Sequence, residues 1–245
     1  MNNIKIFVEE NYEAMSAKAA QIIKAQITAK PESVLGLATG GTPVSTYKEL
    51  IRLHKEGLDF SKITAFNLDE YCPIKKSDNQ SYDYFMKENL FNHVNISEDQ
   101  TNIPSGETTD HAKECDNYEA KIAAKGGIDL QLLGIGLNGH IGFNEPSEVF
   151  SSKTHYTALA ESTIKANTRF FENEADVPKN AITTGIKTIM LAKKILLLAS
   201  GENKAEIIRD ALFGKITPQN PASALQLHHD VTVVLDKAAA KLVQK

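Results

Sequence analysis

Two cysteines, Cys72 and Cys115, are too few for a disulfide framework, and their spacing suits no metal-ligand set. A reducing cytoplasm is the expected setting, with the thiols as packing residues. The chain has no basic excess. Its 27 Lys and Arg face 31 Asp and Glu, a net charge of −4. Neither nucleic acid nor an anionic membrane is expected as a partner, since each needs a basic face. A local basic pocket for one small anion stays open. No apolar run approaches the ~20 residues that span a bilayer. The start, Met1-Asn2-Asn3-Ile4-Lys5, has no signal-peptide apolar region. Walker A and dinucleotide spacings are missing, as are paired-His and His–Cys metal spacings. No repeat, low-complexity tract or Pro/Gly/Ser-rich linker divides the sequence, so one domain over 1–245 is expected.

The composition is that of a soluble globular protein, 42% hydrophobic and 24% charged, and 245 residues can enclose one large core. Short apolar runs at Lys5–Val8, Val34–Ala38, Ile63–Leu68, Leu130–Ile135, Ile195–Ala199 and Val231–Leu235 predict strands. Several are apolar at consecutive positions, as in strands of parallel sheets covered on both faces. Helical periodicity predicts helices over Glu10–Ala29, Val44–Lys55, Tyr82–Asn92, His111–Ala124, Ile186–Lys193 and Lys204–Phe213. The alternation predicts an α/β fold: an open, mostly parallel, Rossmann-like sheet with helices on both faces. Ligands of such sheets sit beyond the carboxyl ends of the strands, so the residues following each strand carry the chemistry.

Four junctions are rich. Thr39-Gly40-Gly41-Thr42-Pro43 follows the second strand. Paired glycines allow close backbone approach; Thr42 can cap the next helix and Pro43 suits its first position. This is either an ordinary strand-to-helix turn or a phosphate cradle. Asp69-Glu70 ends the third strand. Neighbouring side chains on extended backbone point oppositely, so one can be a base while the other serves structure; a solvated acidic loop is the plainer alternative. Gly134–Pro146 packs four glycines, His140, Asn138, Asn144 and Glu145 into thirteen residues. His140 can exchange a proton near neutral pH, and Glu145 can orient its other ring nitrogen if the loop folds back. Arg169 and Lys204 are two cations suited to gripping phosphate; each alone reads equally as a surface cation.

Together, Leu37–Pro43, Phe66–Tyr71, Gly136–Pro146 and Asn167–Phe171 resemble the glucosamine-6-phosphate deaminases of the glucosamine/galactosamine-6-phosphate isomerase family, in the family's order. The resemblance implies conversion of glucosamine 6-phosphate and water to fructose 6-phosphate and ammonia, with no cofactor and no metal. It implies Asp69 as proton acceptor, moving a proton from C2 to C1. His140 would assist ring opening, oriented by Glu145 and Asn138. Gly40, Gly41, Thr42, Arg169 and Lys204 would hold the phosphate, and a lid would span roughly 159–183. Many members carry Asp where this chain has Asn138. The basic residues of the regulated hexamers are matched here by His155 and Thr157, so the resemblance is to the short, non-allosteric type. That implies a monomer or small homo-oligomer acting on a small sugar phosphate. Two neighbouring readings share parts of the pattern. A 6-phosphogluconolactonase has the fold and a Gly-rich His loop, but Phe143-Asn144-Glu145-Pro146 fits the deaminases better. A non-catalytic sugar-phosphate sensor would carry a DNA-binding segment, and no basic arm precedes the first strand.

Overall fold

The computed structural model describes residues 4–168, 171, 173 and 176–243. In chain order its strands and α-helices are β1 (Ile4–Glu9), α1 (Tyr12–Ala29), β2 (Val34–Leu37), α2 (Val44–Lys55), β3 (Thr64–Asn67), β4 (Asp69–Tyr71), α3 (Tyr82–Asn89), β5 (Thr101–Asn102), α4 (His111–Ala124), β6 (Leu130–Leu133), β7 (His155–Ala158), α5 (Glu161–Asn167), β8 (Asn180–Thr183), α6 (Ile186–Met190), β9 (Ile195–Ala199), α7 (Ala205–Phe213) and β10 (Val231–Asp236). Helix starts follow local chemistry. Asn11, Ser81 and Asp110 each accept a backbone N–H from the first turn of α1, α3 and α4.

Seven strands form one sheet in the order β1-β10-β9-β6-β2-β3-β5, and every neighbouring pair is parallel. β2, β3, β6 and β9 are buried at every residue, which is why β2, β6 and β9 run mostly apolar rather than alternate. The chain moves from β2 outward to β3 and β5, then returns to β6 and moves the other way through β9 to β10. Crossovers leaving in two directions open a crevice between β2 and β6. At the opposite end of these strands Asp129 fastens the sheet. It accepts from Lys30 Nζ at 2.6 Å, Val34 N at 2.8 Å and Lys193 Nζ at 2.8 Å.

The third expected strand, Ile63–Leu68, stops short of Leu68, and its acidic sequel is not a loop. Asp69–Tyr71 is a strand of a second sheet, antiparallel to β8, which pairs in turn with β7. Part of the expected lid, Asn180–Thr183, is therefore a paired strand. The expected helices over 82–92 and 186–193 end sooner, at Asn89 and Met190. Cys72 and Cys115 are free, buried and packed with Ile182.

Candidate active site

A crevice of about 410 Å³ opens at the β2/β6 switch point. Gly40, Gly41 and Thr42 enter it after β2, Asp69 from β4, Asn138 and His140 after β6, and Lys204 after β9. The four junctions, scattered over 165 residues of sequence, thus meet in one space. Arg169 lies outside the described residues.

Thr42 does not cap α2. Pro43 occupies the N-cap with helical angles and no side-chain cap bond. The hydroxyl of Tyr12, from α1, takes over that task. It accepts from Ser45 N at 3.2 Å and lies 3.0 and 3.1 Å from the carbonyls of Gly41 and Thr42, to which it donates. The turn is thereby pinned from behind, and Thr42 remains on the crevice wall.

The two neighbouring carboxylates diverge as extended backbone requires. Glu70 turns to the start of α3 and accepts from Tyr71 N, Tyr82 N and Asp83 N at 2.9 to 3.0 Å. Burial pushes its pKa up to about 7 against the pull of these three amides. Asp69 turns into the crevice and is 6% exposed. No donor reaches its carboxylate among the described residues. Tyr71, Tyr82 and Phe143 pack beside it with ring centroids 4.8 to 6.0 Å apart. Burial first, and the Glu70 charge second, push Asp69 up to about 8. A carboxyl so desolvated is a far stronger base than one in water.

The loop after β6 folds back on itself. His140 Nδ1 lies 3.3 Å from Glu145 Oε2, and Asn138 Nδ2 donates to the same oxygen at 2.7 Å. Asn138 Oδ1 also accepts from His140 N at 3.2 Å. Thr163 Oγ1 donates to Glu145 Oε1 at 2.5 Å. Burial of Glu145 works against its charge, but His140, Thr163 and Asn138 outweigh it and hold the carboxyl down at about 2. Glu145 sits behind the imidazole; His140 faces the crevice. Two glycines make this possible. A Cβ on Gly136 would lie 2.3 to 2.5 Å from the His140 ring. Gly142, at φ +57°, passes where a Cβ would meet Thr183 Oγ1 at 2.8 Å and Asp69 Oδ2 at 3.4 Å. So Gly142 brings the histidine loop against the aspartate.

Lys204, at the N-cap of α7, donates to Ile135 O at 2.6 Å and lines the crevice. Its tie to the β6 end fixes a cation near the Gly-Gly-Thr turn. Sequence reasoning missed Tyr12, Tyr82 and Thr163. Tyr12 and Tyr82 act through contacts no local pattern announces. Thr163 and Asn167 had a readable signal, polar residues four apart and so on one helical face.

By fold this is an open parallel α/β protein with a polar-lined crevice at its switch point, where ligands of such sheets sit. The chain belongs to the glucosamine-6-phosphate isomerase/6-phosphogluconolactonase family, which it matches over residues 8–234. A glucosamine-6-phosphate deaminase of Clostridioides difficile (strain 630) is 55% identical over 238 residues, 97% of this chain and 96% of that protein. One of Lachnoclostridium phytofermentans (strain ATCC 700394 / DSM 18823 / ISDg) is 56% identical over 232 residues, 94% and 98% of the two. The solved structure of a monomeric glucosamine-6-phosphate deaminase superposes with a TM-score of 0.95 at 49% identity, covering 97% of this chain and 99% of that one. A 6-phosphogluconolactonase from Trypanosoma brucei superposes at 0.74 with 20% identity over the whole of both chains, a likeness of fold alone. Among the described residues no helix is long and apolar enough to cross a membrane, and no cluster of His, Cys, Asp and Glu could hold a metal.

Proposed function

We propose that this chain converts glucosamine 6-phosphate and water into fructose 6-phosphate and ammonia, and that the residues of the switch-point crevice carry out the conversion. The relatives at about 55% identity along nearly the whole chain support the reaction. One observation supports the site above all others: the desolvated Asp69 and the carboxylate-backed His140 face one crevice floored by the Gly-Gly-Thr turn.

His140 moves a proton between the ring oxygen and O1, opening the sugar to its aldehyde; Glu145 stabilises the imidazolium that forms and Asn138 orients the pair. Asp69 takes the C2 proton and returns one to C1. As a proton also passes from the amine to O1, the double bond shifts from C1–O to C2–N, leaving an imine at C2 that water hydrolyses to the ketone, and the amine departs as ammonia. The sequence is redox-neutral. One base reaches two adjacent carbons only if the phosphate is anchored away from it. Gly40 and Gly41 amides, the Thr42 hydroxyl, Lys204 and Arg169 form that anchor, and the part of 159–183 that precedes β8 acts as the lid that excludes water. The enzyme works as a monomer, as its structural neighbour at 49% identity does, and its two free thiols suit a reducing cytoplasm.

Purified protein given glucosamine 6-phosphate, with nothing else added, should release ammonia and fructose 6-phosphate in equal amounts. Tight binding of that sugar phosphate without ammonia release would replace the enzyme with a sensor. Turnover of a 6-phosphogluconolactone in its place would move the chain to the lactonase branch of its family.

A further inference from the structure

The loop that carries Glu145 satisfies only one of its two oxygens. Oε2 accepts from Asn138 and faces His140 Nδ1. Oε1 is held from outside the loop, by the Thr163 hydroxyl at 2.5 Å and the Ala160 amide at 3.4 Å, both belonging to α5 and its cap. A threonine hydroxyl has one proton. Given to Glu145, it leaves only lone pairs toward His140 Nδ1, 3.5 Å away. Thr163 is buried and lines the crevice. Four residues on, and so on the same face of α5, Asn167 donates from Nδ2 to the Tyr71 hydroxyl at 3.0 Å. Tyr71 is in β4, two residues beyond Asp69. One helical face therefore grips the histidine–glutamate loop with one side chain and the aspartate-bearing strand with the next.

We propose that Thr163 and Asn167 are positioning residues through which α5 sets both halves of the catalytic apparatus at once. Thr163 fixes the Glu145 carboxylate against His140, and Asn167 fixes Tyr71 and with it the strand of Asp69. The inference deepens the deaminase reading and rests on it for its kinetic arm; its spectroscopic arm does not. While Thr163 donates, the Glu145 charge is shared among the hydroxyl, Asn138 and the imidazole. Without that donor more of the charge falls on His140, which stabilises imidazolium and moves its titration to higher pH. Among the described residues, the titratable and charged groups around His140 are Glu145 behind it from its own loop and, across the crevice, Asp69 from β4, Tyr82 from α3 and Lys204 ahead of α7. Substituting Thr163 leaves all of these in place.

The test uses the full chain with ¹⁵N-labelled histidine. Thr163→Val keeps shape and loses the hydroxyl; Thr163→Ser keeps the hydroxyl. The valine variant should lower kcat by about tenfold, the effect of one hydrogen bond to a charged group. KM should stay within about twofold. Its His140 imidazole should titrate at higher pH, and serine should restore both readings. Asn167→Ala should lower kcat without moving the imidazole. Combined with Thr163→Val it should lower kcat by less than the product of the two losses, because the two grips share one helix. Equal losses in the valine and serine variants would reduce Thr163 to packing and overturn the proposal. An unmoved imidazole in Thr163→Val would do the same. A fully multiplicative double variant would overturn the shared grip. If valine prevents folding, Thr163→Ala carries the same comparison. If the unaltered protein releases no ammonia, the deaminase reading fails, while the titration still decides whether Thr163 positions His140.

Discussion

Asp69 and Glu145 are carboxylates walled into the same end of one sheet, and their surroundings drive them in opposite directions. Asp69 has aromatic neighbours and no donor among the described residues, and burial pushes it up to about 8. Glu145 has hydrogen bonds from Asn138, Thr163 and His140, and they hold it down at about 2. Burial acts on both in the same sense; the difference is made by donors and by the neighbouring charge, Glu70 beside Asp69 and His140 beside Glu145. A carboxyl without donors keeps affinity for a proton and can take one from carbon. A carboxyl with many cannot compete for a proton, and its steady charge serves to hold an imidazolium. Two groups driven apart in this way are what the proposed division between base and support requires.

That contrast is broken most sharply at Asp69. Asp69→Asn should fold and lose about 10³-fold or more in kcat, since a general base is removed outright. The measurement is steady-state ammonia release, and turnover near that of the unaltered protein would take the base role from Asp69. Glu145→Gln should cost less, about 10²-fold in kcat, because His140 remains and only its charge partner is lost. Its pH–rate profile should also shift, since a neutral amide no longer stabilises imidazolium. A loss as deep as that of Asp69→Asn would mean that the two carboxylates are not base and support. Lys204→Ala leaves both carboxylates intact. It should raise KM by about tenfold with a smaller change in kcat, and an unchanged KM would remove Lys204 from the anchor.

The sequence made the ends of the long parallel strands legible for a physical reason. β2, β6 and β9 are apolar at consecutive positions, and the residues after them are forced to the switch point by topology alone. So Gly40, His140 and Lys204 could be placed before any coordinates. The second sheet was not legible. β4 is Asp-Glu-Tyr and β7 is His-Tyr-Thr-Ala, short and polar, and their partner β8 lies far along the chain. Nothing local distinguishes them from loops. Thr42 looked like a helix cap because its neighbours suited one; the Tyr12 hydroxyl, brought from α1 by folding, displaced it. Asp69 and Glu70 were expected to point apart by the alternation of extended backbone, and they do. Which of them faces the crevice depended on the amides of α3, a tertiary fact.

The smallest expected effect is on stability, and it carries the same contrast. Asp69 takes up its proton more readily folded than unfolded, where its pKa is near 3.8. The folded state therefore binds more protons than the unfolded one between about 3.8 and 8. Stability from this group is complete below the lower value and is lost as pH rises through the upper one. Glu145 has the opposite sign. Its folded pKa of about 2 lies below the ordinary 4.5, so its contribution is present above 4.5 and lost as pH falls through 2. Asp69→Asn cannot ionise, so its melting temperature should exceed that of the unaltered protein by a margin that widens from pH 4 to pH 8. Glu145→Gln should melt below the unaltered protein at pH 7, and that deficit should shrink as pH falls below about 4.5. Melting curves of the three proteins across this range read both signs in one experiment. Parallel pH dependence in the two variants would mean that donors do not separate the carboxylates, and the assignment of base and support would lose its physical ground.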